Sequence, residues 1–153
     1  MRPAEELRYL VLAAQREGNR RLAQSLRPLG ITPSQAEVLR LLQDRQPLSL
    51  SGLGELLVCE SGVNPSRLVD RLVAAELVRR EIAQHDRRHV ELSLTDEGRR
   101  IARQVGHIES ELYAAIDAAL AGHQLEQITG FLWNLVADQP AGEALQRRMG
   151  ERS

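Results

Sequence analysis

Apolar residues recur along most of the chain at the three- and four-residue spacing of amphipathic helices, and one stretch alternates instead. The helical spacing predicts a long first helix and several later ones, over residues 4–27, 33–45, 49–57, 64–75, 95–120 and a last stretch after Gly122. Val90, Leu92 and Leu94 alternate with polar residues, which predicts a strand with one buried face. This strand pairs with another over 77–83 to form a hairpin, and residues 140–153 are expected to form a short, frayed appendage.

Capping residues mark several of these helix starts. Thr32 precedes Pro33, with Gln35 three residues after the cap, and Thr95 precedes two acidic residues. Asn64 stands before Pro65 in the same way, although Ser61 is an alternative cap that would shift the start of this helix. The predicted fold is therefore mainly α with a small β-hairpin.

Composition argues against a membrane protein and still permits a protein that binds nucleic acid. At 153 residues with 42% hydrophobic and 27% charged residues, the chain suits one domain or two small intergrown ones. It has no long apolar run and no signal-peptide pattern at its start, so we expect a cytoplasmic protein without membrane contact. A net charge of −1 still permits a local cationic surface, because salt screens charges over about 8–10 Å.

The order of helix, turn, capped helix and hairpin is that of a winged helix-turn-helix. On the second of these helices one face is apolar, while the other carries small polar and cationic groups of the kind that enter a major groove. The hairpin tip, His85 to His89, places cations where a neighbouring minor groove would attract them. The sequence thus predicts contacts with double-stranded DNA from Asn64, Ser66, Arg67, Arg71, Arg87 and Arg88. The hairpin is the wing of this motif, and the helix over 64–75 is its recognition helix. Asp86 is predicted to orient the wing by holding Arg88 or an arginine of the recognition helix.

The long apolar stripes at both ends of the chain favour burial against a second copy, because no third layer is available to cover them. We therefore expect a homodimer, in which the N- and C-terminal helices form a helical dimerisation region. The expected division is residues 1–30 for the N-terminal helix of this region, 31–95 for the winged helix-turn-helix and 96–153 for the C-terminal helices, intergrown as one domain.

Three short motifs connect these patterns to a known family: Leu68-Val69-Asp70-Arg71-Leu72, Glu76-Leu77-Val78-Arg79-Arg80, and Asp86-Arg87-Arg88 followed by Leu94-Thr95-Asp96-Glu97-Gly98. With them the chain resembles the MarR family of bacterial transcriptional regulators over almost its whole length. The resemblance implies a homodimer on a pseudo-palindromic operator, usually a repressor, often released by a small aromatic or phenolic effector whose binding residues it leaves unknown. The sequence departs from the family pattern at Glu76, where the family prefers glycine, so the helix is not expected to close with a left-handed glycine.

Other interpretations of these residues remain open. Cys59 is either a redox sensor or an inert thiol, and the lack of an adjacent cation favours the inert thiol. His85 and His89 have a metal-like spacing without companion ligands, so no metal site and no cofactor are predicted. Tyr9, Phe131 and Trp133 are assigned to packing in preference to an effector pocket. The alternative function is a winged-helix module that binds a protein partner; an enzyme is not expected, because no nucleophile-base pairing or phosphate-binding loop is present.

Overall fold

The computed structural model describes residues 1–59 and 65–150, which are mostly helical with one small antiparallel sheet. The helices of these ranges are α1 (Pro3–Leu26), α2 (Pro33–Arg45), α3 (Leu50–Gly54), α4 (Ser66–Ala74), α5 (Asp96–Leu120), α6 (Leu125–Val136) and α7 (Pro140–Gly150). The strands are β1 (Leu48–Ser49), β2 (Val78–Ile82) and β3 (Val90–Leu94). The predicted fold class is confirmed. No helix within the described ranges has the length and apolar character needed to cross a bilayer.

Side-chain caps explain why three helices begin where they do. The Thr32 hydroxyl accepts a hydrogen bond from the Gln35 amide at 3.3 Å, and the Gln35 side chain accepts one from the Thr32 amide at 2.9 Å, which completes a capping box. Ser49 and Thr95 each accept a hydrogen bond from the amide three residues later, at 2.9 Å. These three predicted starts are confirmed.

The sheet has one strand more than the sequence predicts. β3 lies in the centre, pairing antiparallel with β2 from Val78↔Leu94 to Ile82↔Val90 and with β1 through Leu48↔Leu92. The sequence predicts only an extended link at β1, because two residues are too few to show an alternation. β1 therefore anchors the base of the hairpin to the end of α2.

The hydrophobic core lies within the winged region and the first turns of α5. Its largest fully buried side chains come from almost every element between the end of α1 and the middle of α5: Leu26, Leu39, Leu42, Leu53, Leu72, Leu92, Leu94, Val38, Val69 and Val105. This core fixes α4 and the hairpin relative to each other, because both contribute to it.

Two expectations about element boundaries are wrong. α3 ends at Gly54, three residues before the predicted Leu57, and the turn that follows is closed by the Leu56 amide bonding the Leu53 carbonyl. The larger error concerns the C-terminus, where residues 140–150 form α7 instead of a frayed appendage. This helix approaches the end of α6 so closely that a Cβ on Gly142 would lie 1.8 Å from the Val136 carbonyl oxygen.

Candidate nucleic-acid interface

Helix α4 separates its residues into a buried face and an exposed face, as the sequence predicts. Val69 and Leu72 are fully buried, whereas Arg67 and Arg71 are exposed and Ser66 is partly exposed. The helix begins at Ser66, directly after Pro65; the predicted cap Asn64 and its alternative Ser61 lie outside the described residues. Two of the predicted contact residues of α4 are therefore cations directed away from the core.

An ion pair ties α4 to the wing. The Asp70 carboxylate, on the exposed face of α4, bonds the guanidinium of Arg80 on β2. The sequence does not single out Arg80 as the partner of Asp70, because their proximity depends on how the hairpin packs against α4. Arg80 neutralises the charge of Asp70, so this acid does not offset the charges of Arg67 and Arg71 on the same face.

The wing tip is organised by Asp86 through the backbone. One oxygen of its carboxylate accepts a hydrogen bond from the Arg88 amide at 2.9 Å, and the other lies 3.4 Å from Nε2 of His89. The tip is closed by the Ala83 amide, which donates to the His89 carbonyl at 2.9 Å. Asp86 thus bonds the main chain of Arg88, whereas the sequence predicts a bond to an arginine side chain.

The predicted contact arginines carry exposed charge that nearby acids do not neutralise. Within residues 1–59 and 65–150, no hydrogen bond or ion pair involves the side chains of Arg67, Arg71, Arg87 or Arg88, and all four are exposed. Many other arginines are paired, as Arg99 is with Asp96 and Arg100 with Glu97. In the same ranges, exposed arginines without an ion pair also occur on α1 and α5, such as Arg16, Arg21 and Arg103, so it is their position on α4 and the wing tip that makes these four candidates for DNA contact.

A glutamate closes α4 in the left-handed conformation that usually selects glycine. Glu76 has a φ of 59°, its amide bonds the Val73 carbonyl, and the Leu77 amide bonds the Leu72 carbonyl, both at 3.0 Å. These two bonds form a Schellman motif. The Thr95 hydroxyl donates to the Glu76 carbonyl at 2.7 Å. The motif therefore forms without glycine, at the cost of a strained residue.

A buried carboxylate lies behind the interface, at a position that is not among the residues predicted from the sequence. Glu37 of α2 is only 8% exposed, and its carboxylate accepts hydrogen bonds from the amides of Val58 and Cys59. Its signal in the sequence is an acid directly between the apolar residues Ala36 and Val38 of α2, at a position where periodicity places the core-facing side. Cys59 itself is exposed. Among the described residues, no group of three or more metal-ligating side chains is present.

A cavity of about 490 Å³ lies where the turn after α1, the start of α2, the end of α4 and the start of α5 meet. Its lining combines apolar and polar side chains, including Leu72, Leu77, Ile101, Gln35, Arg100 and Gln104. Glu97 also lines it, and the hydrogen bond that Arg100 donates lowers the pKa of the Glu97 carboxyl. Tyr9, Phe131 and Trp133 are not part of this lining. Tyr9 and Phe131 are exposed, so their expected packing does not take place within this protomer.

Comparisons with known proteins agree with this geometry. A family model described as MarR family matches residues 31–90. The organic hydroperoxide resistance transcriptional regulator of Bacillus subtilis (strain 168) is 26% identical over 136 residues, which cover 89% of this chain and 90% of that protein.

Solved structures have the same fold. The S. aureus MepR–DNA complex aligns with a TM-score of 0.77 and 22% identity, covering 84% of this chain and 95% of that one. Reduced AbfR bound to DNA aligns with a TM-score of 0.65 and 25% identity, covering 87% of this chain and 93% of that one. Residues 31–90 thus match the MarR family model, and the chain is similar over 89% of its length to a transcriptional regulator.

Proposed function

We propose that this regulator binds double-stranded DNA sequence-specifically as a homodimer, on a pseudo-palindromic operator, and acts as a ligand-responsive repressor in the cytoplasm. The observation that carries the proposal is the set of exposed arginines without partners on α4 and the wing tip, joined by the Asp70–Arg80 pair. The MepR and AbfR structures, which have this fold and are bound to DNA, support DNA binding by this chain. Phosphate contacts from such cations supply affinity and set register, while base edges supply specificity.

Each candidate residue has a distinct role in this proposal. Ser66 and Arg67, at the start of α4, read base edges or meet adjacent phosphates in the major groove, together with Asn64 just before the helix. Arg71, one turn further, contacts the backbone. Arg87 and Arg88 enter the neighbouring minor groove, and Asp86 shapes the tip that presents them.

Exposed apolar residues on the outer helices support the homodimer. On α1 and α6 they form stripes that the protomer leaves uncovered: Leu7, Leu10, Val11, Leu125, Ile128, Phe131, Leu132 and Leu135. Contiguous apolar surface of this kind marks an interface between copies. We infer the division already predicted: residues 1–30 and 96–153 form the dimerisation region and residues 31–95 the winged region. The dimer places two α4 helices about 34–36 Å apart, one turn of DNA.

The cavity at the junction of these two regions is the candidate effector site. Its apolar residues and the guanidinium of Arg100 suit a small aromatic or phenolic molecule with one polar or anionic group. A ligand held there would favour one separation of the α4 helices over another, and so alter operator affinity. Phenols and benzoates that weaken operator binding in wild type and lose this effect in Ile101→Trp, which fills the cavity, would support this site. If none of them changes operator affinity, this part of the proposal is overturned.

Selection from a randomised duplex pool tests the DNA-binding proposal. Wild-type protein should enrich a pseudo-palindromic sequence, and Arg88→Ala should bind that sequence more weakly with a lower salt slope, since each phosphate contact contributes about −0.9 to the log-log slope. Arg103→Ala removes an exposed arginine of α5 and serves as the control that leaves affinity unchanged. Enrichment of no sequence by the wild type contradicts the proposal.

The alternative of a protein-binding module is less well supported than the sequence alone indicated. Its main residue-level argument is an acid on the exposed face of α4, and the structure pairs that acid, Asp70, with Arg80. The salt slope separates the two functions, because a protein-binding module shows no release of counterions from duplex DNA.

A further inference from the structure

The carboxylate of Glu37 is the one buried charged group among the described residues, and it bonds the chain segment that leads toward α4. Its Oε1 accepts from the Val58 amide at 3.0 Å and from the Cys59 amide at 3.2 Å, and its Oε2 accepts from the Cys59 amide at 3.1 Å. The segment containing these amides therefore has a fixed point on α2, the helix against which α4 packs.

The counter-charge for this carboxylate comes from the C-terminal helix. Nη1 of Arg148, in the last turn of α7, lies 3.2 Å from Oε2 of Glu37, although the two residues are 111 positions apart in the chain. The Glu37 side chain is 6% exposed and that of Arg148 is 30% exposed. A carboxylate buried to this extent needs both hydrogen bonds and an opposite charge, so removal of Arg148 leaves Glu37 with its amide hydrogen bonds but without its counter-charge.

Two further contacts hold α7 in the same place. Nη2 of Arg45, at the end of α2, donates to the Arg148 carbonyl at 2.6 Å, which satisfies one of the last carbonyl groups of α7. Nη1 of Arg147 donates to the Glu55 carbonyl at 3.1 Å, in the turn just after α3. The end of α7 thus contacts both the end of α2 and the segment that Glu37 holds.

We propose that Glu37 and Arg148 are positioning residues for DNA recognition: α7, through the Glu37 carboxylate, holds the segment at Val58 and Cys59 from which the recognition helix is presented. This inference rests on the proposed DNA binding, and neither residue contacts DNA. Because α7 follows α6, it connects a helix of the proposed dimer interface to the segment that precedes α4. A change in α6 can therefore reach α4 through the chain's own C-terminus.

Two substitutions and their combination test the pair in the full-length protein. Arg148→Met retains the length of the side chain and removes its charge and donors, whereas Glu37→Gln keeps an oxygen that can accept from the two amides. In Arg148→Met we expect hydrogen exchange at the Val58 and Cys59 amides to accelerate about tenfold, and affinity for the selected operator to fall about tenfold with an unchanged salt slope. The double variant Glu37→Gln/Arg148→Met should recover most of that affinity, because no unpaired charge remains.

The matched control is Gln146→Met, at an exposed position of α7 whose side chain makes no hydrogen bond among the described residues, and it should change neither readout. Unchanged amide exchange in Arg148→Met, at a temperature where the variant is folded, overturns the positioning role even if the melting temperature falls. An altered salt slope also overturns it, since Arg148 would then contact phosphate. If the wild type selects no duplex, the proposed DNA binding fails, and the exchange rates alone decide whether α7 holds the segment.

Discussion

The winged region and the outer helices use the same apolar periodicity with opposite results. In the winged region the apolar faces are covered by the chain itself, and Leu39, Leu53 and Leu72 are completely buried. Along α6, by contrast, no residue is buried, and Leu132 and Leu135 remain 40% and 54% exposed. A periodic apolar face thus indicates that a helix needs a covering surface, without indicating which chain supplies it.

Element length accounts for much of the difference. Elements of the winged region between α2 and β3 have at most 13 residues, and they pack against one another instead of extending past the core. The 24 residues of α1 and the 25 residues of α5 extend over about 36–38 Å, which is longer than that core. The far ends of these helices therefore lie beyond the core and take a second copy as their covering surface in the proposed dimer.

The largest expected effect comes from placing a charge on the outer helices. Leu132→Glu in α6 should raise the dissociation constant of the proposed dimer by about a thousandfold or more, because a carboxylate buried in an apolar interface costs several kcal/mol. Sedimentation equilibrium measures this change, and circular dichroism should show that the winged region remains folded. Glu126→Gln on the same helix is the control. A variant that stays dimeric would show that α6 is not part of the interface.

A second substitution should affect the winged region instead. A Cβ on Gly98, in the first turn of α5, would lie 2.0 Å from the Leu77 carbonyl oxygen, at the base of the wing. Gly98→Ala should therefore lower the free energy of unfolding by about 2–3 kcal/mol through overpacking. Urea denaturation measures this loss. Gly18→Ala in α1, where a Cβ meets nothing within 4 Å, should stabilise the protein slightly. Equal effects of the two substitutions would contradict this difference between the regions.

Helix starts and the polar face of α4 could be predicted because their causes are local. A capping residue such as Thr32 or Thr95 bonds an amide three residues away, and the exposure of Arg67 follows from helical periodicity. α7 could not be predicted in the same way. It depends on the close approach of Gly142 to Val136 and on contacts of Arg148 with residues more than 100 positions away.

In the candidate site, too, features with local causes can be predicted and those that depend on distant contacts cannot. The exposed cations and the wing are visible in the sequence, but the Asp70–Arg80 pair and the role of Glu37 depend on tertiary packing. β1 is too short to produce a pattern at all. Residues that hold α4 and the wing in place are thus harder to predict than the exposed residues that would contact DNA.

A smaller effect is expected at the strained end of α4. Glu76→Gly should raise the free energy of unfolding by about 1 kcal/mol, because glycine adopts a φ of 59° without the penalty that a Cβ imposes. Denaturant midpoints measure the gain. Glu76→Ala retains the Cβ and should give no comparable gain, so an equal increase in both variants would attribute the effect to the lost carboxylate.

The smallest effect concerns Tyr113, on the part of α5 that leads from the winged region to the outer helices. Partial burial and the neighbouring Glu109, which accepts a hydrogen bond from its hydroxyl at 3.1 Å, raise the pKa of Tyr113 above its usual value near 10. The folded state therefore retains this proton to a higher pH than the unfolded state, so its contribution to stability is complete below pH 10 and is lost as the pH rises through the raised pKa.

Urea midpoints between pH 8 and pH 11 should fall more steeply in the wild type than in Tyr113→Phe, with Glu109→Gln in between because it removes only the charge. The same series in Leu132→Glu sharpens the comparison of the two regions. If a second copy covers this part of α5, dissociation of the dimer should reduce the alkaline loss; an identical loss would mean that the environment of Tyr113 is complete within one protomer.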